Sequence, residues 1–291
     1  MIEMLQQPFF RAGLIGCCMV AAICSFLGVY IVLRRIVFVS AALAQASSAG
    51  VALALLVGLN PFHFSLVFTM SCLALFAFVP FRRKLPMEGF IGFGYILASA
   101  LAILFVARNP AGEARALNIL FGNILTVSSG ELLMLGTIFP LVVLIHYLFY
   151  KEFLLVSFDY EMARALQMRA DLWNLILLLT IGITISFAIR AAGSLPIFTF
   201  LVIPAMTARL LAGRMRTMFA FSALFGLAAA VLGLYFAVEF NLPSGASMAA
   251  TSGALLLIVG MGTLLSERTA TAEALGILLA GAISLAPSLV R

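Results

Sequence analysis

The side chains that could perform chemistry are few, and none has the spacing of a catalytic or metal site. The two histidines, His63 and His146, lie far apart, and there is no HExxH, no GxSxG and no Cys/His cluster with zinc-site spacing. The sequence also lacks a GxxxxGKS or GxxxxGKT phosphate loop, so the chain cannot hydrolyse ATP by that mechanism. The four cysteines, none in a CxxC pair, are Cys17, Cys18, Cys24 and Cys72. We predict no enzymatic activity, no cofactor bound by this chain, and packing roles for the histidines and cysteines.

Carboxylates lie near the ends of the apolar runs, and none lies at the centre of one. Glu131, Glu152, Asp171 and Glu239 all have this placement. Carboxylates inside a membrane usually mark proton relays or cation sites of secondary transporters. Their absence from the centres counts against a proton-driven pump, so the energy for any transport would come from a partner.

The segment SFDYEMARALQMRADLW, residues 157–173, is the most polar stretch between apolar runs. Asp159 and Glu161 precede MARALQM, and acidic side chains favour a helix N-terminus, whereas Arg164 and Arg169 favour its C-terminal end. We therefore predict one or two helical turns here. Two interpretations are open. The segment is either a solvated amphipathic connector or a coupling helix that docks in a cleft of a cytoplasmic ATPase.

Composition places these residues in a membrane. Of the 291 residues, 64% are hydrophobic and only 10% are charged, whereas a soluble domain carries about a quarter charged residues. Apolar windows of about twenty residues, the length of a spanning helix, lie at 11–33, 38–58, 63–80, 89–107, 131–150, 172–190, 193–212, 218–238 and 245–264. A weaker tenth candidate covers 272–289. The run ALNILFGNIL is too short to span and is predicted to be interfacial or re-entrant.

The predicted fold is all-α, a polytopic bundle of about 8–10 transmembrane helices in a single domain, residues 1–291. Basic residues predict its orientation, because 12 of the 17 Lys and Arg residues fall on one side of the bilayer. Basic loops favour the cytoplasm. We therefore expect residues 157–171 in the cytoplasm of a bacterial cell, the N-terminus outside, and the chain in the inner membrane. The net charge of +6 then reflects topology and not nucleic-acid binding.

The second apolar run is rich in small and neutral polar side chains. Its small residues include Ala41, Ala42, Ala44, Ala46, Ser47, Ser48, Ala49 and Gly50. Lipid gives apolar side chains no reason to leave it, so membrane helices associate through small residues. We expect this helix to be buried on most sides. Gln45 fits an interhelical hydrogen bond and a substrate pathway equally well.

Five blocks, in order along the chain, resemble the metal-type ABC permeases, the membrane subunits of zinc, manganese and iron importers. They are RRIVFVSAALAQASSAGVALA at 34–54, LFGNILTVSSGEL at 120–132, DYEMARALQM at 159–168, GSLPIFTFLVIPAMTARLLA at 193–212 and LPSGASMAA at 242–250. The first resembles the family's double arginine followed by a small-residue helix. The fourth is similar to the family's apolar run ending in IPAATAR. The third has Gln167 where the family usually has glycine.

This resemblance implies a function and a set of partners. The chain would be the permease of an ATP-driven importer of a divalent metal, pairing with a second permease copy or paralogue, with the pathway along their interface. Two cytoplasmic ABC ATPase subunits would hydrolyse ATP, and an extracytoplasmic binding protein would deliver substrate. The residues that would couple the chain to the ATPase are Asp159, Glu161, Ala163, Arg164, Ala165, Leu166 and Gln167.

One departure from the family concerns the metal. The family typically has an Asp and a His four residues apart on the second span, and the matching positions here are Ala41 and Gln45. A methyl group cannot bind a cation, and a Gln amide oxygen is a weak, neutral zinc ligand. The sequence therefore predicts no metal ligand at these positions. The translocation path on this helix would use the neutral side chains Ser40, Gln45, Ser47 and Ser48.

Three other functions remain possible at this point. The chain could be a secondary transporter or channel that works alone, an ABC permease for a non-metal substrate, or a membrane scaffold that has lost its ligands. Finding an ATPase partner would distinguish an ABC permease from a transporter or channel that works alone. A transport assay would distinguish a permease from a scaffold.

Overall fold

The structure, a computed structural model, describes the backbone of residues 8–78, 86–109 and 127–285, and the side chains of 10–76, 86, 88–109 and 127–265. This part of the chain is helical. Its helices in order are α1 (Pro8–Leu33), α2 (Val37–Val57), α3 (Pro61–Phe78), α4 (Met87–Ala107), α5 (Ser129–Leu148), α6 (Tyr150–Phe158), α7 (Tyr160–Ala165), α8 (Ala170–Ala192), α9 (Ser194–Leu211), α10 (Met215–Glu239) and α11 (Ser244–Leu285). The all-α fold is confirmed. The run ALNILFGNIL lies outside the described residues.

Eight of these helices are long and apolar enough to cross a membrane, namely α1, α2, α4, α5, α8, α9, α10 and α11. Helix α3 is apolar but shorter over its described side chains. It nevertheless returns the chain across the bundle, because Val37 at the start of α2 and Glu88 at the start of α4 line the same cavity. The tenth candidate, 272–289, lies at the end of α11 and beyond, where no side chain is described.

Two groups of helices are joined by α8. Helix α2 packs against α3 and α4 in one group, and α1 packs against α9 and α10 in the other, with α11 against α9 and α10. Helix α8 touches members of both groups. We call the end of the bundle where α1 finishes and α2 and α4 begin the basic end, since Arg34 and Arg35 lie there.

Helix α2 is the most enclosed span, as its small residues predicted. About four-fifths of its apolar window is buried, 78%. A Cβ added at Gly50 would lie 2.3 Å from the backbone oxygen of Phe64 on α3, and one at Gly28 of α1 would lie 2.4 Å from that of Leu201 on α9. These glycines let helix backbones approach each other closely, which is how apolar helices gain packing energy in lipid.

Helix ends follow local chemistry. Ser128 and Glu131 form a reciprocal capping box at the start of α5, and Glu131 also pairs with Arg190 at the end of α8, 2.8 Å apart. Arg35 and Gln167 adopt positive φ, 56° and 59°, two residues after the last residues of α1 and α7. In both places backbone N–H groups bond back to the last turn, which stops the helix.

Candidate translocation groove and coupling segment

A cavity of about 380 Å³ opens between α2, α4 and α9. Ala41 and Gln45, one turn apart on α2, both line it, as expected for side chains on one helix face. Tyr95 of α4 and Ser194 of α9 also line it. The remaining wall is apolar and consists of Ala44, Leu195 and Phe198. Sequence reasoning missed Tyr95 and Ser194, although a tyrosine in the middle of the apolar run 89–107 was a usable signal.

Gln45 and Tyr95 reach this cavity without a hydrogen-bond partner among the residues that the structure describes. Tyr95 is 40% exposed and Gln45 is half-buried. An unpaired polar group in an apolar environment costs about 2–7 kcal/mol, and the bilayer core holds no water to relieve that cost. The cavity therefore has to contain water, a substrate or polar groups of another subunit.

A second cavity, about 850 Å³, lies at the basic end along the same helices. Three charged side chains line it, Arg35, Glu88 and Arg209, and no ion pair joins them in the described structure. Its apolar lining consists of Val32, Ile36, Val37, Phe38, Ile91, Met206 and Leu210. Helices α2, α4 and α9 contribute to both cavities, so the two cavities follow one another along the same helices from the middle of the bundle to the basic end. We call the two cavities together the α2–α9 groove.

The other predicted path residues of α2 lie away from both cavities. Ser40 donates to the backbone oxygen of Val37, 2.6 Å away. Ser47 and Ser65 of α3 share a hydrogen bond of 2.7 Å, and Ser65 donates to the backbone oxygen of Ser186 on α8 at 3.2 Å. Ser48 is fully buried, and its hydroxyl has no partner. The structure thus brings Gln45 to the groove, while Ser47 ties α2 to α3 and Ser40 bonds only within α2 itself.

Metal ligands do not gather in the part of the chain that the structure describes. No three His, Cys, Asp or Glu side chains there are close enough to hold a metal ion. The polar groups at the cavity of Ala41 and Gln45 are one amide and two hydroxyls, all neutral. One chain alone therefore offers a cation only weak oxygen donors at this depth.

The polar segment 157–173 contains the predicted short helix. Asp159 caps α7, with its side chain accepting from the backbone N–H of Met162 at 2.9 Å. Ala163 faces inward and is fully buried against the neighbouring helices. The opposite face is exposed to solvent and comprises Glu161, Met162, Ala165 and Leu166. Helix α6, which precedes it, was not predicted as a separate element.

Tyr160 ties α7 to α8 and lies near the end of α1. Its hydroxyl donates to the carboxylate of Asp171 at the start of α8, and this bond raises the pKa of Tyr160, so the phenol stays protonated. Burial lowers the pKa of Arg34 at the end of α1, and the nearby Tyr160 acts in the opposite direction. The exposed helix is therefore hydrogen-bonded to the start of α8 and close to the end of α1.

A multi-pass bundle with a polar-lined groove and an exposed helix at its basic end has the architecture of a membrane transport protein. The particular family follows from sequence comparison. The chain belongs to the ABC 3 transport family, whose profile matches residues 6–263. The predicted resemblance is confirmed, and the chain is a membrane component of a transport system.

Individual relatives agree with this assignment. The manganese transport system membrane protein MntC of Listeria innocua is 33% identical, over 84% of this chain and 87% of the relative. The manganese import system permease protein ScaB of Streptococcus gordonii is 29% identical, over 86% of this chain and 90% of the relative. Among solved structures, PsaBC from Streptococcus pneumoniae in complex with Fab superposes with a TM-score of 0.81 at 28% identity, covering 89% of this chain and 93% of that one.

Proposed function

We propose that this chain is the permease of an ATP-driven importer of a divalent metal ion, with manganese the preferred substrate, in a bacterial inner membrane. The substrate class is suggested by the relatives, two of which are named for manganese transport. Manganese prefers oxygen ligands, whereas zinc prefers His, Cys or carboxylate. The polar side chains at the cavity of Gln45 all offer oxygen and none offers sulfur or imidazole.

The observation that carries this proposal is the pair of unpartnered polar groups, Gln45 and Tyr95, that face one cavity in the middle of the bundle. Such groups are tolerated at membrane depth where they line a wet cavity. The α2–α9 groove then forms one half of the translocation path, and Arg35, Glu88 and Arg209 lie at its cytoplasmic mouth.

A second permease completes the path. A divalent cation that loses water at this depth needs replacement ligands, because its desolvation is very costly. Ala41 and Gln45 supply no charge. Either a second, non-identical permease provides the charged ligands across the interface, or the cation passes with much of its hydration shell. We favour the non-identical partner, because its charged ligands would replace the hydration that the cation loses as it crosses the membrane.

ATP hydrolysis comes from a cytoplasmic ABC ATPase that docks on α7, and an extracytoplasmic binding protein delivers the metal at the opposite end. The exposed apolar side chains of Met162 and Leu166, 54% and 59% exposed, support a docking face at the basic end. The two side chains lie one turn apart, so they present neighbouring apolar surface to a partner.

Metal content tests the substrate. A strain lacking this chain, grown with a chelator, is expected to contain less manganese than the parent by elemental mass spectrometry, and manganese supplementation is expected to restore growth. Equal manganese content in both strains under chelation would refute the manganese assignment.

Calorimetric titration tests the departure at Ala41 and Gln45. The purified homomeric permease is expected to show no tight manganese or zinc site. The double change Ala41→Asp with Gln45→His places two ligands one turn apart at the cavity and is expected to create such a site. Tight binding by the unmodified homomer at this cavity would contradict the proposed need for a second permease.

A further inference from the structure

Two buried polar atoms on neighbouring helices lack partners near the basic end. Tyr30 of α1 and His146 of α5 are both 0% exposed. The hydroxyl of Tyr30 and Nε2 of His146 form no hydrogen bond in the described structure. Buried polar groups are nearly always paired, so two exceptions side by side call for an explanation.

The two atoms have complementary hydrogen-bonding roles. Nδ1 of His146 lies 2.9 Å from the backbone oxygen of Val142. A carbonyl only accepts, so Nδ1 carries the proton and Nε2 of the neutral ring is an acceptor. The hydroxyl of Tyr30 is a donor, and the two ring centroids are 5.3 Å apart with their planes tilted by 50°. The donor and the acceptor thus belong to two rings in direct contact on neighbouring helices.

The position of this pair connects the coupling segment to the spans. Phe153 of α6 stacks on His146, with centroids 4.5 Å apart and planes at 23°. Trp173, the last residue of the polar segment 157–173, meets Phe153 edge-on at 5.6 Å. On the other side, Tyr30 lies one turn before Arg34, the residue beside Tyr160 of α7. Movement of α6 therefore reaches both rings through Phe153, which contacts His146 and Tyr30. Helix α7 lies near the end of α1, where Tyr160 is close to Arg34.

We propose that Tyr30 donates a hydrogen bond to Nε2 of His146 in a second conformation of the permease, and that this bond couples movement of α6 and α7 to α1. The inference rests on the proposed function, since the movement would come from ATPase closure. Tyr30 and His146 are then positioning residues. They touch no substrate, and their bond stabilises one of two states, which is what energetic coupling requires.

Isosteric apolar variants test the bond, namely Tyr30→Phe, His146→Phe and the double variant. The probe is radioactive Mn²⁺ uptake into proteoliposomes that contain the permease, its ATPase and the binding protein, with ATP hydrolysis measured in parallel. We expect each single variant to lower Mn²⁺ transported per ATP roughly 5- to 10-fold, the lower part of the range for allosteric coupling. We expect the double variant to be no worse than either single one.

Thermal stability separates coupling from packing. Replacing both unpaired polar groups by rings of similar shape is expected to leave the melting temperature unchanged or higher. Tyr147→Phe is the matched control, because Tyr147 is next to His146 on α5 but 78% exposed. It is expected to transport like the parent.

Four outcomes would overturn the proposal. Parent-like transport per ATP in both single variants would do so, as would additive losses in the double variant. A lower melting temperature with unchanged coupling would indicate a static, water-bridged pair. Tyr150→Phe alone reproducing the loss would assign the partner of Tyr30 to the neighbouring Tyr150. Failure of the parent complex to transport Mn²⁺ would instead count against the proposed function.

Discussion

At the scale of single residues, the side chains that matter are uncharged groups at unusual positions. Gln45 stands at a cavity in the bundle where a charged ligand would suit a cation better. Gln167 occupies a left-handed backbone conformation, φ 59°, at the end of α7. The resemblance to metal-type ABC permeases places glycine there, and the positive φ explains why glycine suits that position.

The effect of a substitution at Gln167 on the stability of α7 is expected to depend on how well the new residue tolerates the positive φ. A non-glycine residue in this conformation costs about 1–2 kcal/mol, and glycine loses about 0.5–1 kcal/mol to chain entropy. Gln167→Gly is therefore expected to be neutral or slightly stabilising. Gln167→Val adds a β-branched side chain, which this region excludes, and is expected to loosen α7. Protease sensitivity of the 157–169 segment measures both. Equal cleavage of the two variants would contradict the role of the positive φ.

At the scale of helices, orientation about the helix axis separates structural from docking positions. On α7, Ala163 is fully buried, whereas Ala165, two residues later, is exposed. On α2, Gly50 meets the backbone of α3, whereas Gly92 on α4 has nothing within 4 Å of an added Cβ. In each pair, the first position is packed against a neighbouring helix and the second can accept a larger side chain without a clash.

Changes on the exposed face of α7 are expected to impair the ATPase interaction and not the fold. Ala165→Trp should weaken co-purification of the ATPase, about tenfold or more for a residue central to an interface. The protein should still insert into the membrane. Ala107→Trp, an exposed alanine at the end of α4, is the control. Ala163→Trp should instead destabilise the protein by overpacking, about 1–3 kcal/mol. Undiminished co-purification with Ala165→Trp would exclude this face as the docking site.

Close approach of α2 and α3 predicts sensitivity at Gly50. A Cβ there would lie 2.3 Å from a backbone oxygen, so one helix has to move. Gly50→Ala is expected to cost about 1–3 kcal/mol and to lower the melting temperature in detergent. Gly92→Ala is expected to be neutral or stabilising, by up to about 1 kcal/mol from helix propensity. Matching melting temperatures for the two variants would show that α2 and α3 are not packed this closely.

At the scale of the whole molecule, the bundle has two chemically different ends. The basic end holds Arg34 and Arg35, the charged cavity and the coupling segment. The opposite end holds the ion pair of Glu131 and Arg190. The basic residues predict that the basic end is cytoplasmic.

Labelling with a membrane-impermeant thiol reagent tests that orientation. The background is a variant with alanine in place of Cys17, Cys18, Cys24 and Cys72. His63, at the start of α3, is exposed. The variant His63→Cys is expected to react with the reagent in intact cells. Glu161, on α7, is also exposed. The variant Glu161→Cys is expected to react only after the membrane is permeabilised. Labelling of Glu161→Cys from outside intact cells would invert the proposed topology.

Several features could be predicted from the sequence alone because they depend on local chemistry. The membrane class and the positions of the spans follow from runs of about twenty apolar residues. The short helix in 157–173 follows from Asp159 at its start, and the placement of carboxylates near span ends is also as expected. The family resemblance rests on short blocks of residues, and the match over 6–263 confirms it.

Only the tertiary structure decided which side chains meet. Tyr95 joins Gln45 at a cavity, Ser47 bonds to Ser65, and the ring of Tyr30 lies beside that of His146. The physical reason is that lipid is as apolar as the protein interior, so these helices do not distinguish an inward from an outward face by hydrophobicity. Close packing at Gly28 and Gly50 orients the helices instead, and that packing depends on residues far apart in the chain.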